Sequence, residues 1–271
     1  MKGTFILLIC CLLFISVSFS GCLDVKKESG TENLSTDVIY QTSTIGALLE
    51  GMYEGDVTVG DLKEHGDLGL GTFNGLDGEM VILDGIVYQV KADGVAYMVN
   101  DSIKTPFAAV TMFESDINKA LEQEMNNTQL NAYMETLMPS RNLMYAIKIE
   151  GNFSYMKTRS VPAQKKPYPR LADVTKNQTT FEFENVSGTI VGFWLPDYVE
   201  KVNVPGYHLH FLTADGSAGG HILECTIRSG NVSIDISDDF FMQLPATEEF
   251  LSGNFSEERT QELTQVEKGK N

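Results

Sequence analysis

The chain has 271 residues, 42% of them apolar and 21% charged, enough for one sizeable core or two smaller ones without disulfide staples. Its formal net charge of −17 excludes a nucleic-acid partner, because no basic surface offsets the phosphates. The same charge leaves an anionic substrate to be caught by local positive groups, such as a metal or a buried arginine.

The N-terminus reads as an export signal. Lys2 supplies positive charge, and the apolar run from Phe5 to Val17 is shorter than the ~20 residues that span a bilayer. Phe19-Ser20-Gly21-Cys22 follows and resembles a lipobox. Residues 1–21 are therefore expected to be a lipoprotein-type signal peptide, with Cys22 the lipidated first residue of an exported protein held at the outer face of the membrane. The alternatives are a plain signal peptide cut near Gly21, giving a secreted protein, and a retained N-terminal anchor. Cys10 and Cys11 lie inside the signal, so only Cys22 and Cys225 remain and no disulfide framework is implied. Sequons at Asn33, Asn126, Asn152, Asn177, Asn185, Asn231 and Asn254 suit an exported chain. Residues 22–37 are polar and aperiodic, and are expected to form a flexible tether.

From Val38 strands and helices mix. A strand is expected over Val38–Thr42 and a short helix over Thr44–Tyr53, with Ile45, Leu48, Leu49 and Met52 on one side. Strands follow over Leu68–Asn74, Glu79–Leu83 and Ile86–Lys91, separated by the hairpin signals Asp77-Gly78 and Asp84-Gly85. Phe107–Phe113 reads as a strand. Ser115–Met138 reads as the main helical stretch, burying Ile117, Leu121, Leu130, Tyr133 and Leu137. Leu143–Glu150 returns as a strand. Beyond Asn152 the pattern is strand and turn, with strands over Phe181–Glu184, Thr189–Trp194, Tyr207–Leu212, His221–Arg228 and Val232–Ile236, and a charged tail, Ser256–Glu267, that forms a short helix. The elements describe an α+β fold: an N-terminal mixed α/β domain with a β-sheet over 38–151, and a mainly antiparallel, barrel-like β domain over 152–271 that carries the metal site described next.

Only four histidines exist, and three fall within fourteen residues: His208, His210 and His221. Side chains alternate along a strand, so in Tyr207-His208-Leu209-His210-Phe211 the two histidines share one face. The Gly- and Ser-rich run Thr213–Gly220 reads as a turn, and a hairpin across it brings His221 beside the pair. Three converging imidazoles suit Zn²⁺ at about 2.0–2.1 Å per bond, with one position left for water or substrate. His65 stands alone and reads as a structural residue. Cys225 lies on the His221 face and reads as a buried free thiol.

At this point the sequence resembles the acetolactate decarboxylase family, from about Val38 to the C-terminus. The resemblance is carried by Ser43-Thr44-Ile45-Gly46-Ala47-Leu48-Leu49, by the run from His65-Gly66-Asp67 to Gly71-Thr72-Phe73-Asn74, and by Leu76-Asp77-Gly78-Glu79-Met80. It continues in Thr105-Pro106-Phe107-Ala108, Arg159-Ser160-Val161, Lys166-Pro167-Tyr168, Gly188-Thr189-Ile190-Val191-Gly192-Phe193, Gly206-Tyr207-His208-Leu209-His210-Phe211 and Gly219-Gly220-His221. Leu68 stands where the family motif leads one to expect an aromatic residue. The resemblance implies a zinc-dependent carboxy-lyase that converts 2-acetolactate to acetoin and CO₂ through a zinc-stabilised enediolate, in acetoin and butanediol formation. It implies that His208, His210 and His221 are the zinc ligands, that Glu79 and Arg159 are active-site residues, and that a C-terminal glutamate reaches the metal site. Glu267 is the counterpart of that glutamate, with Glu262 the competing choice. Arg159 would hold the substrate's carboxylate, Glu79 or Glu267 would supply the proton, and Thr72 would help orient the substrate. The family also suggests a homodimer joined through the N-terminal sheet.

Two alternatives stay open. A cupin-like metalloenzyme also uses His-x-His on a strand, but would normally add a glutamate shortly after the pair, where this chain has only Asp215 in the turn. A lipoprotein that binds a metal or a small acid without catalysis would leave Glu79 and Arg159 without a reason to accompany the histidines.

Overall fold

Residues 37–255 and 259–268 are described by a computed structural model of the chain; the expected signal peptide, Cys22, Asn33 and the tether up to residue 36 lie outside the described residues. The fold is mixed α and β, mostly strands with few helices. Strand β1 (Val38–Thr42) leads into helix α1 (Ile45–Leu49), which stops after five residues rather than reaching Tyr53. The Thr44 hydroxyl caps α1 by accepting the Ala47 N–H at 3.1 Å. Strand β2 (Val57–Thr58) and helix α2 (Val59–Lys63) follow, the latter opened by a Thr58–Asp61 capping box. Strands β3 (Leu68–Thr72), β4 (Glu79–Leu83) and β5 (Ile86–Val90) form around the two Asp-Gly signals. Strands β6 (Ala96–Met98), β7 (Lys104–Thr105) and β8 (Ala108–Thr111) complete this part.

The helix expected over Ser115–Met138 is half strand. Ile117–Leu121 is strand β9, Met125–Asn126 is strand β10, and only Asn127–Leu137 is helical, as α3. A four-residue spacing such as Ile117 to Leu121 fits one face of a helix and one face of a strand equally. Pairing with residues 230–234 decides for the strand. The helix starts where Asn126 and Gln129 form a capping box, and it buries Leu130 and Met134.

Three strands are much longer than the alternation suggested. They are β11 (Met144–Ser160), β12 (Thr179–Leu195) and β14 (Gly219–Ser237), with β13 (Gly206–Thr213) shorter and the helix α4 (Leu171–Val174) between β11 and β12. The boundary expected near Asn152 falls inside β11, where Gly151 is paired to both Gly188 and Gly230. Strand β15 (Asp239–Gln243) and helices α5 (Glu248–Ser252) and α6 (Thr260–Lys268) end the described chain.

Seven strands form one sheet in the order β15-β1-β8-β3-β4-β5-β6, antiparallel except for the parallel β15–β1 pair. The second sheet runs β10-β14-β11-β12-β13, with β9 also on β14, and β13 pairs with β14 as well, so the ladders connect β14, β11, β12 and β13 in a ring. Because β15 crosses over to edge the first sheet, chain order does not separate the two sheets. Their facing sides share one core, in which Ile39, Leu68, Leu70 and Val81 meet Ala146, Val191, Phe193 and Leu212. The outer side of the second sheet packs under α3 through Phe153, Phe211, Leu130 and Met134. A third cluster joins Ile45, Leu48, Leu76 and Phe107 to Leu171, Leu263 and Val266, so that α1, α4 and α6 close one end of the sheets. The site lies under that end.

Candidate active site

On β13 the expected alternation holds. Leu209 and Phe211 enter the core under α3, while His208, His210 and Leu212 face the first sheet. His210 stands opposite His221 of β14, and His221 stands opposite Arg159 of β11. Gly220 makes that proximity possible: its φ is +127°, and a Cβ there would lie 2.4 Å from the Arg159 carbonyl oxygen. The three imidazole centroids lie 5.2–5.3 Å apart, and one ligand nitrogen from each ring lies within 4.8 Å of the others. Among the described residues this is the one group of three or more His, Cys, Asp or Glu side chains so placed.

The rings are oriented by backbone carbonyls. His210 Nδ1 donates to Met80 O at 2.7 Å, which leaves the Nε2 lone pair free. His221 Nε2 donates to the Glu267 carbonyl at 3.0 Å, which leaves Nδ1 free. Burial, reinforced by the Arg159 charge, holds His208 at about 3, and burial pushes His210 and His221 well below the ordinary imidazole range. The three rings are therefore neutral at physiological pH, the form that ligates a metal. His208 Nδ1, His210 Nε2 and His221 Nδ1 are buried without a hydrogen-bond partner. Such orphaned nitrogens are costly unless a ligand satisfies them. This donor set fits a divalent cation.

Two carboxylates and one cation surround the rings. Glu79 opens β4 opposite Thr72, with Oε2 3.7 Å from His210 Nε2 and Oε1 4.0 Å from Arg159 Nε. Glu267, near the end of α6, places Oε2 3.6 Å from His208 Nε2 and 3.8 Å from His221 Nε2. Burial pushes both carboxyls up to about 7, against the opposing pull of Arg159. Glu262, the competing choice, lies away from the rings and pairs with Arg170 at 2.9 Å and Arg259 at 3.1 Å. Arg159 is 4% exposed, and its Nη1 donates to Gln178 Oε1 at 3.1 Å.

A small cavity opens on these groups. Its polar side is formed by Thr72, Glu79, Arg159, His208 and Glu267, and its apolar side by Ile45, Leu48, Leu76, Phe107, Val161 and Leu171. The Thr72 hydroxyl donates to Gly78 O at 2.7 Å, so only its lone pairs can serve a ligand. Sequence reasoning missed Gln178 and the apolar wall. A single glutamine before a strand carries no signal, and the wall residues come from five separate segments. His65 is away from the rings, stacked 3.9 Å from Tyr40. Cys225 is a buried free thiol 3.3 Å from Asn127 Oδ1, with burial pushing it up to about 12.

The sequence profile described as alpha-acetolactate decarboxylase matches residues 39–257. An alpha-acetolactate decarboxylase of Methanosarcina mazei is 53% identical over 236 residues, covering 87% of this chain and 82% of that protein. One from Brevibacillus brevis is 42% identical over 231 residues, covering 85% and 81%. The crystal structure of alpha-acetolactate decarboxylase from Bacillus subtilis superposes with a TM-score of 0.84 at 36% identity, covering 86% of this chain and all of that one.

Proposed function

The chain belongs to the alpha-acetolactate decarboxylase family, a family of carboxy-lyases, and on that premise we propose that its buried His–Glu–Arg chamber converts 2-acetolactate to acetoin and CO₂ with Zn²⁺ held by His208, His210 and His221. The observation that carries the reading is the convergence of three buried, neutral imidazoles beside two protonatable carboxyls and one buried guanidinium.

2-Acetolactate bears a ketone next to a tertiary alcohol whose carbon also carries the carboxylate. Loss of CO₂ leaves an electron pair on that carbon, which must spread into the ketone as an enediolate. A bound Zn²⁺ supplies Lewis-acid charge where that pair accumulates. Arg159, steadied by Gln178, holds the carboxylate through its planar donor fork. Glu79 then delivers a proton to the carbinol carbon from one side, which sets the configuration of acetoin. Its raised pKa keeps a usable fraction protonated near neutral pH. Glu267 fixes the His221 tautomer through its carbonyl and brings a second carboxyl against the rings. The apolar wall excludes water that would compete for the charge.

The reading extends to export with Cys22 as the lipidated residue, to a barrel-like second sheet, and to a homodimer. Support for export comes from the N-terminal signal pattern, and fatty-acid labelling of cells that is lost in Cys22→Ala tests it. The catalytic reading is tested by incubating purified protein with racemic 2-acetolactate before and after chelation. Equimolar CO₂ and acetoin, lost on chelation and restored by Zn²⁺, is the expected result. Absence of acetoin, or activity indifferent to metal removal, overturns it.

A further inference from the structure

One leucine in the site stands in a backbone conformation that leucine rarely adopts. Leu76 has φ +53°, directly after Gly75 at +73° and two residues before Gly78 at +89°. The residue is 2% exposed and lines the cavity beside Glu79 and Arg159. A β-carbon at such a φ is strained, and glycine would relieve the strain.

The turn is held from every side. Gly75 donates to Tyr53 O at 2.8 Å and accepts from the Gln164 N–H at 2.7 Å. Gly78 donates to Leu76 O at 3.1 Å and accepts from the Thr72 hydroxyl at 2.7 Å. Gln89 Nε2 donates to Asp77 O at 2.6 Å, and Asn74 exchanges hydrogen bonds with Gly55 at 2.9 and 3.0 Å. Strain that the surroundings over-determine in this way is a mark of functional sites. The hydrogen bonds leave the Leu76 side chain little freedom to retreat, so it forms a fixed apolar stop opposite the polar side of the chamber.

We propose that Leu76 is the specificity-determining wall of this chamber, limiting the alkyl substituents of the 2-hydroxy-3-oxo acid to small groups such as the methyls of 2-acetolactate. This rests on the decarboxylase reading above. Removing the isobutyl side chain opens space for additional methylenes, and one methylene in an apolar pocket is commonly worth about tenfold or more in discrimination.

The test compares kcat/KM for 2-acetolactate with that for its homologue carrying a propyl group in place of the 2-methyl, in wild type, Leu76→Ala and Leu76→Gly. Glycine suits the φ of this position, so the second variant keeps the experiment decisive if the first does not fold. Leu49→Ala serves as the control, because Leu49 shares the same apolar cluster without lining the cavity. The expected result is a propyl-to-methyl ratio raised about tenfold or more in the folded Leu76 variants and unchanged in Leu49→Ala. A ratio within about threefold of wild type in the Leu76 variants, or an equal rise in Leu49→Ala, overturns the inference. A wild-type protein that forms no acetoin would instead sink the decarboxylase reading itself.

Discussion

Glu79→Gln tests the proton-delivery role while keeping the side chain's size and shape. The position is 6% exposed, beside His210 and Arg159. An ordinary glutamate at 4.5 is protonated in roughly one molecule in 300 at pH 7, whereas burial brings Glu79 up to about 7 and protonates about half. Burial thus enlarges the donor population on the order of 150-fold in the metal-free protein, and a bound cation reduces that gain. Loss of a positioned general acid typically costs about 10²–10⁴ in rate. We expect turnover of the variant to fall by about that factor while zinc content stays at the wild-type level. The sign of the pH dependence follows from the role: the donor must be protonated, so wild-type turnover falls as pH rises through the Glu79 pKa. A bound divalent cation pulls that pKa downward, so the falling limb lies at or below about 7. Acetoin formation across pH 5–9, with metal analysis of the same samples, reads all of this. Turnover of Glu79→Gln at the wild-type rate would refute the assignment and move it to Glu267, which has the same elevation.

Replacing His208 or His210 by Ala removes a ligand nitrogen, and both zinc and acetoin formation should be lost; normal activity in either would place the site elsewhere. Gln178→Ala deprives Arg159 of its 3.1 Å acceptor, and kcat/KM for 2-acetolactate should fall on the order of tenfold with the metal retained, the scale of a hydrogen bond to a charged group; unchanged kinetics would show that Arg159 needs no such support. Asp235, 1% exposed in β14 with Oδ1 unpartnered, is pushed up to about 7, first by burial and then by Asp116, Asp37 and Glu114. Its folded form therefore holds a proton that the unfolded chain has released, so this group makes stability fall as pH rises from about 4 to about 7. Asp235→Asn should flatten that part of a urea-denaturation series, and an unaltered slope would contradict the assignment.

The sequence carried the chemistry better than the architecture. His208, His210 and His221 were legible because alternation along one strand and a Gly-rich reversal are local rules, and the ladder pairs His210 with His221 as those rules require. Glu79, Arg159 and Glu267 came only through resemblance, since one acid at a strand start and another in a charged tail look like solvated residues. Glu267 reaches the rings because α6 folds back to bring it against His208, which no local pattern encodes. The lengths of β11, β12 and β14 were hidden by polar stretches such as Thr179–Ser187, which face solvent on one side yet pair with β11 at every position but Asn185. The crossover of β15 to the first sheet was hidden too, because a parallel pairing such as Val38 with Asp239, so distant in the chain, leaves no trace in spacing.

If His208, His210 and His221 grip a single zinc ion, X-ray absorption at the zinc edge of the purified, active protein will register their nitrogens around the metal. The expected spectrum shows one zinc per chain with three imidazole nitrogens at about 2.0–2.1 Å and the remaining ligands oxygen. A fully active protein with no bound zinc, or zinc surrounded without imidazole, would contradict it.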